Sequence, residues 1–372
     1  MFSNAKSEEK LTDKALSDEV QRLLDTALDV SSTATHSYSV RSNLREGYLD
    51  VLFSVPIAFK INSDLNNQIL QILIPSLLNK LTIYTNSGPE YIVNEGFPGL
   101  RYHFKIGNFQ RLVFNSIDEM KARNGVIQLM SGYSFDTKSL ANAIFSGRSG
   151  TGKTTLITGC LAALKNDVSQ DVEITVIDPK MSFDLYSFSK KYKVNYISPA
   201  ASDNINIFLA AVKDVLTAEI DEIRKRQREL IRTGKVNKKL YLVVIDEAMS
   251  ISAMFNAQSS KSLKEYLSLI DMIMMQARSA NCALWISSQT ITASGSAQVM
   301  SSSARDQANL KVLLDANPNL NDCRYLFPEL ADTSSIVVAR SGYLKGIGIA
   351  SMQPLNIIVP FRAPLIRGLQ NG

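Results

Sequence analysis

Histidine is nearly absent from this chain, with His36 and His103 the two among 372 residues. So few imidazoles argue against a histidine-built metal centre. Cysteine is as sparse: Cys160, Cys282 and Cys323 stand far apart, without a Cys-x-x-Cys spacing, and read as reduced thiols of a cytoplasmic protein. Long apolar runs are missing too. The longest, residues 69–78, is interrupted by Gln71, Pro75 and Ser76, and falls well short of the roughly 18 residues that span a bilayer, so no membrane segment is expected. The first 20 residues are polar and charged, the wrong composition for a secretory signal. There is no internal repeat and no low-complexity tract. Strong charge of one sign is also lacking: the formal net charge of +5 permits an anionic partner without requiring one. A chain 45% hydrophobic and 20% charged suits a globular protein of about two domains.

What is present is concentrated in two segments. Gly147-Arg148-Ser149-Gly150-Thr151-Gly152-Lys153-Thr154 fits G-x-x-x-x-G-K-[ST], the Walker A phosphate loop. Residues 141–146 ahead of it suit a short buried strand, and residues 155–164 behind it a helix, which is the context such a loop needs. Its glycines let backbone N–H groups turn onto phosphates, and the helix N-terminus adds positive potential. ATP is therefore expected on residues 147–155, including Thr155, with Lys153 reaching the β- and γ-phosphates and the Thr154 hydroxyl holding Mg²⁺. Residues 240–247, Leu-Tyr-Leu-Val-Val-Ile-Asp-Glu, follow the Walker B pattern: an apolar run for a strand buried on both faces, ending in two carboxylates. Asp246 is expected to hold the magnesium through a water, and Glu247 to orient or deprotonate the water that attacks the γ-phosphate. The implied chemistry is hydrolysis of ATP.

Three segments are expected along the chain. Residues 1–46 read as an N-terminal helical arm and linker. The helix spans about 11–30, capped by Asp13 or Ser17 and either docked on a neighbouring subunit or packed on its own core, and residues 33–42 are Ser/Thr-rich. Residues 47–138 read as a small α+β domain, with strands near 48–61, 81–85, 100–104, 110–114 and 126–129. Its main helix covers 64–81, kinked or split at Pro75, and a short one covers 116–123. Residues 139–372 alternate strand (141–146, 172–178, 241–246, 282–288, 309–314) with helix (154–165, 205–233, 259–280), then add β-structure at 335–340 and 346–360. That alternation gives an α/β fold with a central, mostly parallel sheet. A strand inserted between the phosphate motifs, with a Glu after the Walker B Asp, marks it as RecA-like.

Several segments in order resemble the FtsK/SpoIIIE family of DNA translocases and the related HerA-like motors and conjugative coupling proteins. They are residues 130–135 leading into the phosphate loop, Ile177-Asp178-Pro179-Lys180-Met181 with Leu185-Tyr186, the acidic-then-basic run 222–228, and Gln276-Ala277-Arg278-Ser279-Ala280-Asn281. The strand 283–288 then ends in Gln289. The resemblance covers about residues 130–350. It departs at Asn281, where the family has Gly, a change Asn tolerates in a left-handed conformation, and at Thr290, where the family continues Arg-Pro. The resemblance implies a compact motor, a ring-shaped homo-oligomer (a hexamer) that moves duplex DNA without reading its sequence. A protein-secretion motor, a packaging or coupling ATPase and a helicase are the alternatives.

The same resemblance assigns roles. Gln289 is a γ-phosphate sensor or a polar strand cap. Arg278 is an arginine finger acting across a subunit boundary, placed near the sheet's C-terminal edge, or a helix-terminal cation satisfying carbonyls; Arg305 is the second candidate. Asp178 and Lys180 shape the edge of the active site or form an ion pair with each other. Residues 221–239 read as a solvated helix with i,i+4 pairs. Residues 290–303, small and hydroxylated, form a pore loop on the DNA backbone or a plain surface loop.

Overall fold

The computed structural model describes residues 11–29, 38–54, 63–77, 80–83, 89–106, 110–131, 133–138, 142–199, 204–291, 298–316, 318, 320–328, 345–352 and 357–369. The chain divides into two compact units, one built from Met1–Asn108 and the other from Phe109–Thr333 with Val338–Gly372.

The first unit runs α1 (Asp13–Asp29), β1 (Tyr38–Asn43), β2 (Tyr48–Phe53), α2 (Ser63–Leu77), β3 (Leu81–Ile83), β4 (Glu90–Asn94) and β5 (Phe97–Ile106). Its sheet is antiparallel in the order β1-β2-β5-β3, with β4 also on β5. Leu16, Val20 and Leu24 of α1 are buried with Val51, Leu73 and Tyr102 in one core. The helix thus packs on its own unit, the second of the two expected placements. Its start is capped by Thr12, whose hydroxyl accepts from Ala15 N at 3.2 Å. Asp13 instead ties the helix to the sheet, accepting from Leu44 N at 2.6 Å. The Ser/Thr-rich stretch holds a strand, β1, because Tyr38 buries and β2 supplies its ladder. The expected linker residues 33–37 and strand residues 55–61 lie outside the described residues. Helix α2 covers Ser63–Leu77, running on past Pro75, and Leu81 already stands in β3, so the helix does not reach 81.

The second unit begins with β6 (Val113–Phe114), a single 3₁₀ turn at Ile117–Glu119 where a longer helix was expected, and the hairpin β7 (Val126–Met130)–β8 (Tyr133–Asp136). These segments, expected in the small domain, lie in the second unit for a local reason. Ala122 N donates to Ala163 O at 3.0 Å, Gly125 N to Asp167 Oδ2 at 2.7 Å, and β6 pairs with the last strand of the chain.

There follow β9 (Ala143–Ser146), α3 (Lys153–Lys165), β10 (Val172–Ile177), α4 (Phe183–Tyr192), β11 (Asn195–Ile197), α5 (Ile205–Thr233), β12 (Leu240–Ile245), α6 (Ala248–Gln258), α7 (Ser260–Gln276) and β13 (Cys282–Ser288). The unit closes with α8 (Ser302–Asp306), β14 (Leu310–Leu313), α9 (Leu320–Leu326), β15 (Ile347–Met352), β16 (Ile357–Arg362) and β17 (Leu365–Ile366). The sheet order is β11-β10-β12-β13-β9-β14-β15-β16, parallel from β11 to β14 and antiparallel over the last two pairings. This is the expected α/β fold with a mostly parallel sheet. Strands β9 and β13 are buried at every position, as a sheet covered on both faces requires. The strand expected at 335–340 lies outside the described residues. Among the described residues no helix is long and apolar enough to cross a membrane.

Two consequences of this order place the site. Strand β13 lies between the strand that leads into the phosphate loop and the strand that ends in Asp246 and Glu247. All three run the same way, so their C-terminal ends open on one crevice at the point where the chain changes direction across the sheet.

Candidate active site

The loop between β9 and α3 is shaped by glycines that no other residue replaces easily. Gly147 has φ 143°, and a Cβ there would meet the Leu314 carbonyl oxygen at 2.2 Å. Gly152, with φ 98°, is the left-handed N-cap of α3. The first turn of α3 therefore points its unpaired N–H groups into the crevice, the geometry that holds phosphate.

A cavity of about 320 Å³ opens there. The loop and the start of α3 contribute Ser149, Gly150, Gly152, Lys153, Thr154 and Thr155; the turn after β10 and the start of α4 contribute Lys180, Ser182, Phe183 and Asp184. Asp246 and Glu247 come from the end of β12, Gln289 from the end of β13 and Lys345 from the turn before β15. Lys153 is buried, and its Nζ donates to the carbonyls of Gly147 and, at 3.2 Å, Arg148. Burial lowers its pKa, opposed by the charges of Glu247 and Asp246.

Glu247 is the most constrained group in the site. It is buried, adopts left-handed backbone (φ 52°) and caps α6. Its Oε1 accepts from Gln289 N at 3.0 Å and its Oε2 from Lys180 Nζ at 2.7 Å. Gln289 thus meets the glutamate through its backbone, and the residue also lines the cavity. Lys180 is not paired with Asp178. Instead Asp178 builds the turn: Oδ1 accepts from Lys180 N at 2.9 Å, and Oδ2 from Ser182 N at 2.7 Å and the Tyr196 hydroxyl at 2.9 Å.

Asp246 has its carboxyl pushed up to about 6, by burial first and by the neighbouring Asp178 second. Among the described residues no group of three or more His, Cys, Asp or Glu is placed to hold a metal. A magnesium ion needs no such cage, since it takes one or two protein oxygens and fills its octahedron with waters and phosphate. The Thr154 hydroxyl and the Asp246 carboxylate line one cavity and supply hard oxygen donors, and a cation beside Asp246 would relieve the crowding with Asp178. The residues present fit the ion.

The remaining expected residues are placed differently. Arg148 is exposed and pairs with Asp315 at 3.0 Å, and Thr151 O accepts from Gly346 N at 2.8 Å; both support the loop from outside the cavity. Arg278 is exposed on the 3₁₀ turn that leads into β13, so it stands at the N-terminal edge of the sheet, opposite the cavity. The expectation of the C-terminal edge was wrong because a helix feeding a parallel strand ends where that strand starts. Arg305 is buried; it donates to Asp306 Oδ1 and Tyr325 O, each at 2.8 Å, and stacks on the Tyr325 ring. That leaves its guanidinium committed inside its own protomer. Asn281 is left-handed at φ 50°, as its replacement of Gly requires. Of the acidic-then-basic run, Arg226 is buried, donating to the carbonyls of Lys239 and Asn281 and making the i,i+4 pair with Glu222; the exposed Arg224 and Lys225 pair at i,i+3 with Asp221 and Glu222 rather than at the expected i,i+4. Sequence reasoning missed Ser182, Asp184 and Lys345. The first two open α4 and carry a helix-start signal; Lys345 belongs to no motif. In the loop expected to contact DNA, residues 292–297 lie outside the described residues.

No family model and no curated protein matches the chain. Solved structures do. The conjugation coupling protein TcpA of pCW3, solved as a monomer with ATPγS, matches 94% of this chain and 95% of its own, with TM-score 0.53 and 15% identity. The cytoplasmic domain of the type VII secretion ATPase EccC of Thermomonospora curvata matches 66% of this chain and 29% of its own, with TM-score 0.48 and 14% identity. The genome packaging NTPase B204 of Sulfolobus turreted icosahedral virus 2 matches 60% of this chain and 97% of its own, with TM-score 0.34 and 15% identity. The resemblance to FtsK/HerA-type phosphate-loop ATPases expected from residues 130–350 holds at the level of fold, and the chain shares that fold with TcpA along nearly its whole length.

Proposed function

We propose that this chain is an ATP-driven duplex DNA translocase that works as a ring, a hexamer, and hydrolyses ATP at its subunit boundaries. The observation that carries the hydrolytic part is the convergence of Lys153 and Glu247 on one cavity at the C-terminal ends of β9 and β12. The phosphate loop and the start of α3 bind and orient the triphosphate. Glu247 takes the proton of a water aligned with the γ-phosphorus. The bond from water oxygen to phosphorus forms as the bond to the bridging oxygen breaks, and ADP leaves with that electron pair. Bound on Thr154 and Asp246, magnesium would supply charge neutralisation at the β- and γ-oxygens. Lys153 stabilises the same developing charge from the protein side.

The load is supported by the resemblance of residues 130–350 and by the fold shared with a conjugation coupling protein. The subunit boundary is supported by the cavity's lining, which among the described residues contains no arginine. Arg278, exposed at the far edge of the sheet, remains the residue proposed to complete a neighbouring site. Binding through phosphates alone makes DNA affinity independent of sequence and steeply dependent on salt.

The test joins two measurements. Glu247→Gln should bind ATP with wild-type affinity and lose about 10²-fold or more in kcat, since general-base catalysis contributes about 10²–10⁴. Wild-type hydrolysis should rise on adding long duplex DNA. Stimulation by a secreted polypeptide and not by DNA would mark a secretion motor, and loss of ATP binding in Glu247→Gln would remove the glutamate's assigned role.

A further inference from the structure

Lys180 and Glu247 are unequal partners. The glutamate side chain is 5% exposed and held at its other oxygen by Gln289 N, so it stays where it is. The lysine side chain is 43% exposed at the mouth of the cavity. Its backbone is fixed, because both oxygens of Asp178 take N–H groups of the turn and the next residue, Met181, is left-handed at φ 56°. The arrangement is a mobile ammonium on a rigid anchor.

The same cavity wall carries Lys153 and the phosphate loop. A triphosphate seated on that loop would bring its terminal phosphoryl group into the cavity that Lys153, Glu247 and Lys180 line together. A γ-phosphate carries more negative charge than one carboxylate and offers three acceptor oxygens, so it competes well for the ammonium.

We propose that Lys180 is a γ-phosphate ligand that leaves Glu247 for the terminal phosphate of a bound triphosphate, so that the base gains a free oxygen only when there is a phosphate to remove. A diphosphate leaves the Lys180–Glu247 pair closed. This rests on the reading of the site as ATP-hydrolysing. The sequence offered Lys180 as an edge residue or a partner of Asp178; its contact with the base appears in the structure alone.

The experiment compares the wild-type chain with Lys180→Met and Lys180→Arg. Calorimetric affinities for ATPγS and ADP, each with magnesium, are read beside kcat, KM and melting temperature. Lys180→Met should keep its melting temperature and its ADP affinity, weaken ATPγS at least tenfold, and lose about 10²-fold in kcat, the scale for removing one charge-stabilising donor. Lys180→Arg should recover most of the ATPγS preference. Equal weakening of both nucleotides, an unchanged ATPγS-to-ADP ratio, or a kcat at or above wild type overturns the proposal. A wild-type chain that hydrolyses no ATP would count against the underlying reading instead, and the binding ratio would still decide the role of Lys180.

Discussion

Met181 and Glu247 both adopt left-handed backbone, at φ 56° and 52°, and neither is a glycine. Such backbone costs about 1–3 kcal/mol per residue and persists where surrounding structure demands it. Here it occurs at Glu247 itself and at the residue after Lys180, the two ends of a 2.7 Å ion pair. The loop shows the complementary case. Gly147→Ala would place a Cβ 2.2 Å from the Leu314 carbonyl oxygen at φ 143°, so the loop must shift. ATP affinity should fall at least tenfold in that variant while the fold survives, and wild-type affinity would show that the loop tolerates the move. At this scale the sequence was informative wherever chemistry repeats at fixed spacing. Of the residues expected in the site, Ser149, Gly150, Gly152 to Thr155, Asp246 and Glu247 do line one cavity, because glycines, a lysine and carboxylates at those intervals have few other uses. Lys345 could not be named, and Lys180 could be offered only as an edge residue or an ion-pair partner, because their roles depend on which strand ends meet.

Helices and strands show the same division. Helix α5 occupies the expected residues 205–233, since its length and apolar stripe leave little alternative, and β13 occupies the expected 282–288. The hairpin strands β4 and β8 escaped notice because β4 buries none of its residues and β8, though Tyr133 and Phe135 alternate with Ser134 and Asp136, is only four residues long. The placement of Arg278 failed for a topological reason: spacing along the chain does not say which edge of a sheet a turn occupies. Helix α5 also carries a feature that no pattern suggested. Glu219 is fully buried, neither carboxylate oxygen has a hydrogen-bond partner, and burial holds its pKa well above the ordinary value. Tyr241, Cys282 and Glu222 are the titratable groups around it, with Arg226 nearby. The folded chain keeps the proton over a range where the unfolded chain has lost it, so Glu219 lowers stability increasingly as pH rises above about 4.3. Glu219→Gln should therefore raise the melting temperature at pH 8, by about 2–4 °C per kcal/mol recovered, and by less at pH 5. An equal gain at both pH values, or a loss at pH 8, would contradict the buried-acid account.

At the scale of the molecule, the unit with the parallel sheet carries every residue assigned to the chemistry. No arginine lines its cavity among the described residues. In the proposed ring an arginine finger would cross the subunit boundary; one is worth about 10³–10⁵ in rate, so on that proposal assembly and turnover should be linked. The net charge of +5 leaves DNA binding to local basicity, which counterion release makes sensitive to salt. The most direct test is steady-state ATP hydrolysis by the full chain, titrated from dilute to concentrated protein at 50 and 200 mM salt, with and without long duplex DNA. Turnover per subunit should climb with protein concentration, climb further with DNA, and lose most of the DNA response at the higher salt. Hydrolysis that is fast in dilute solution, constant per subunit and indifferent to DNA would contradict it.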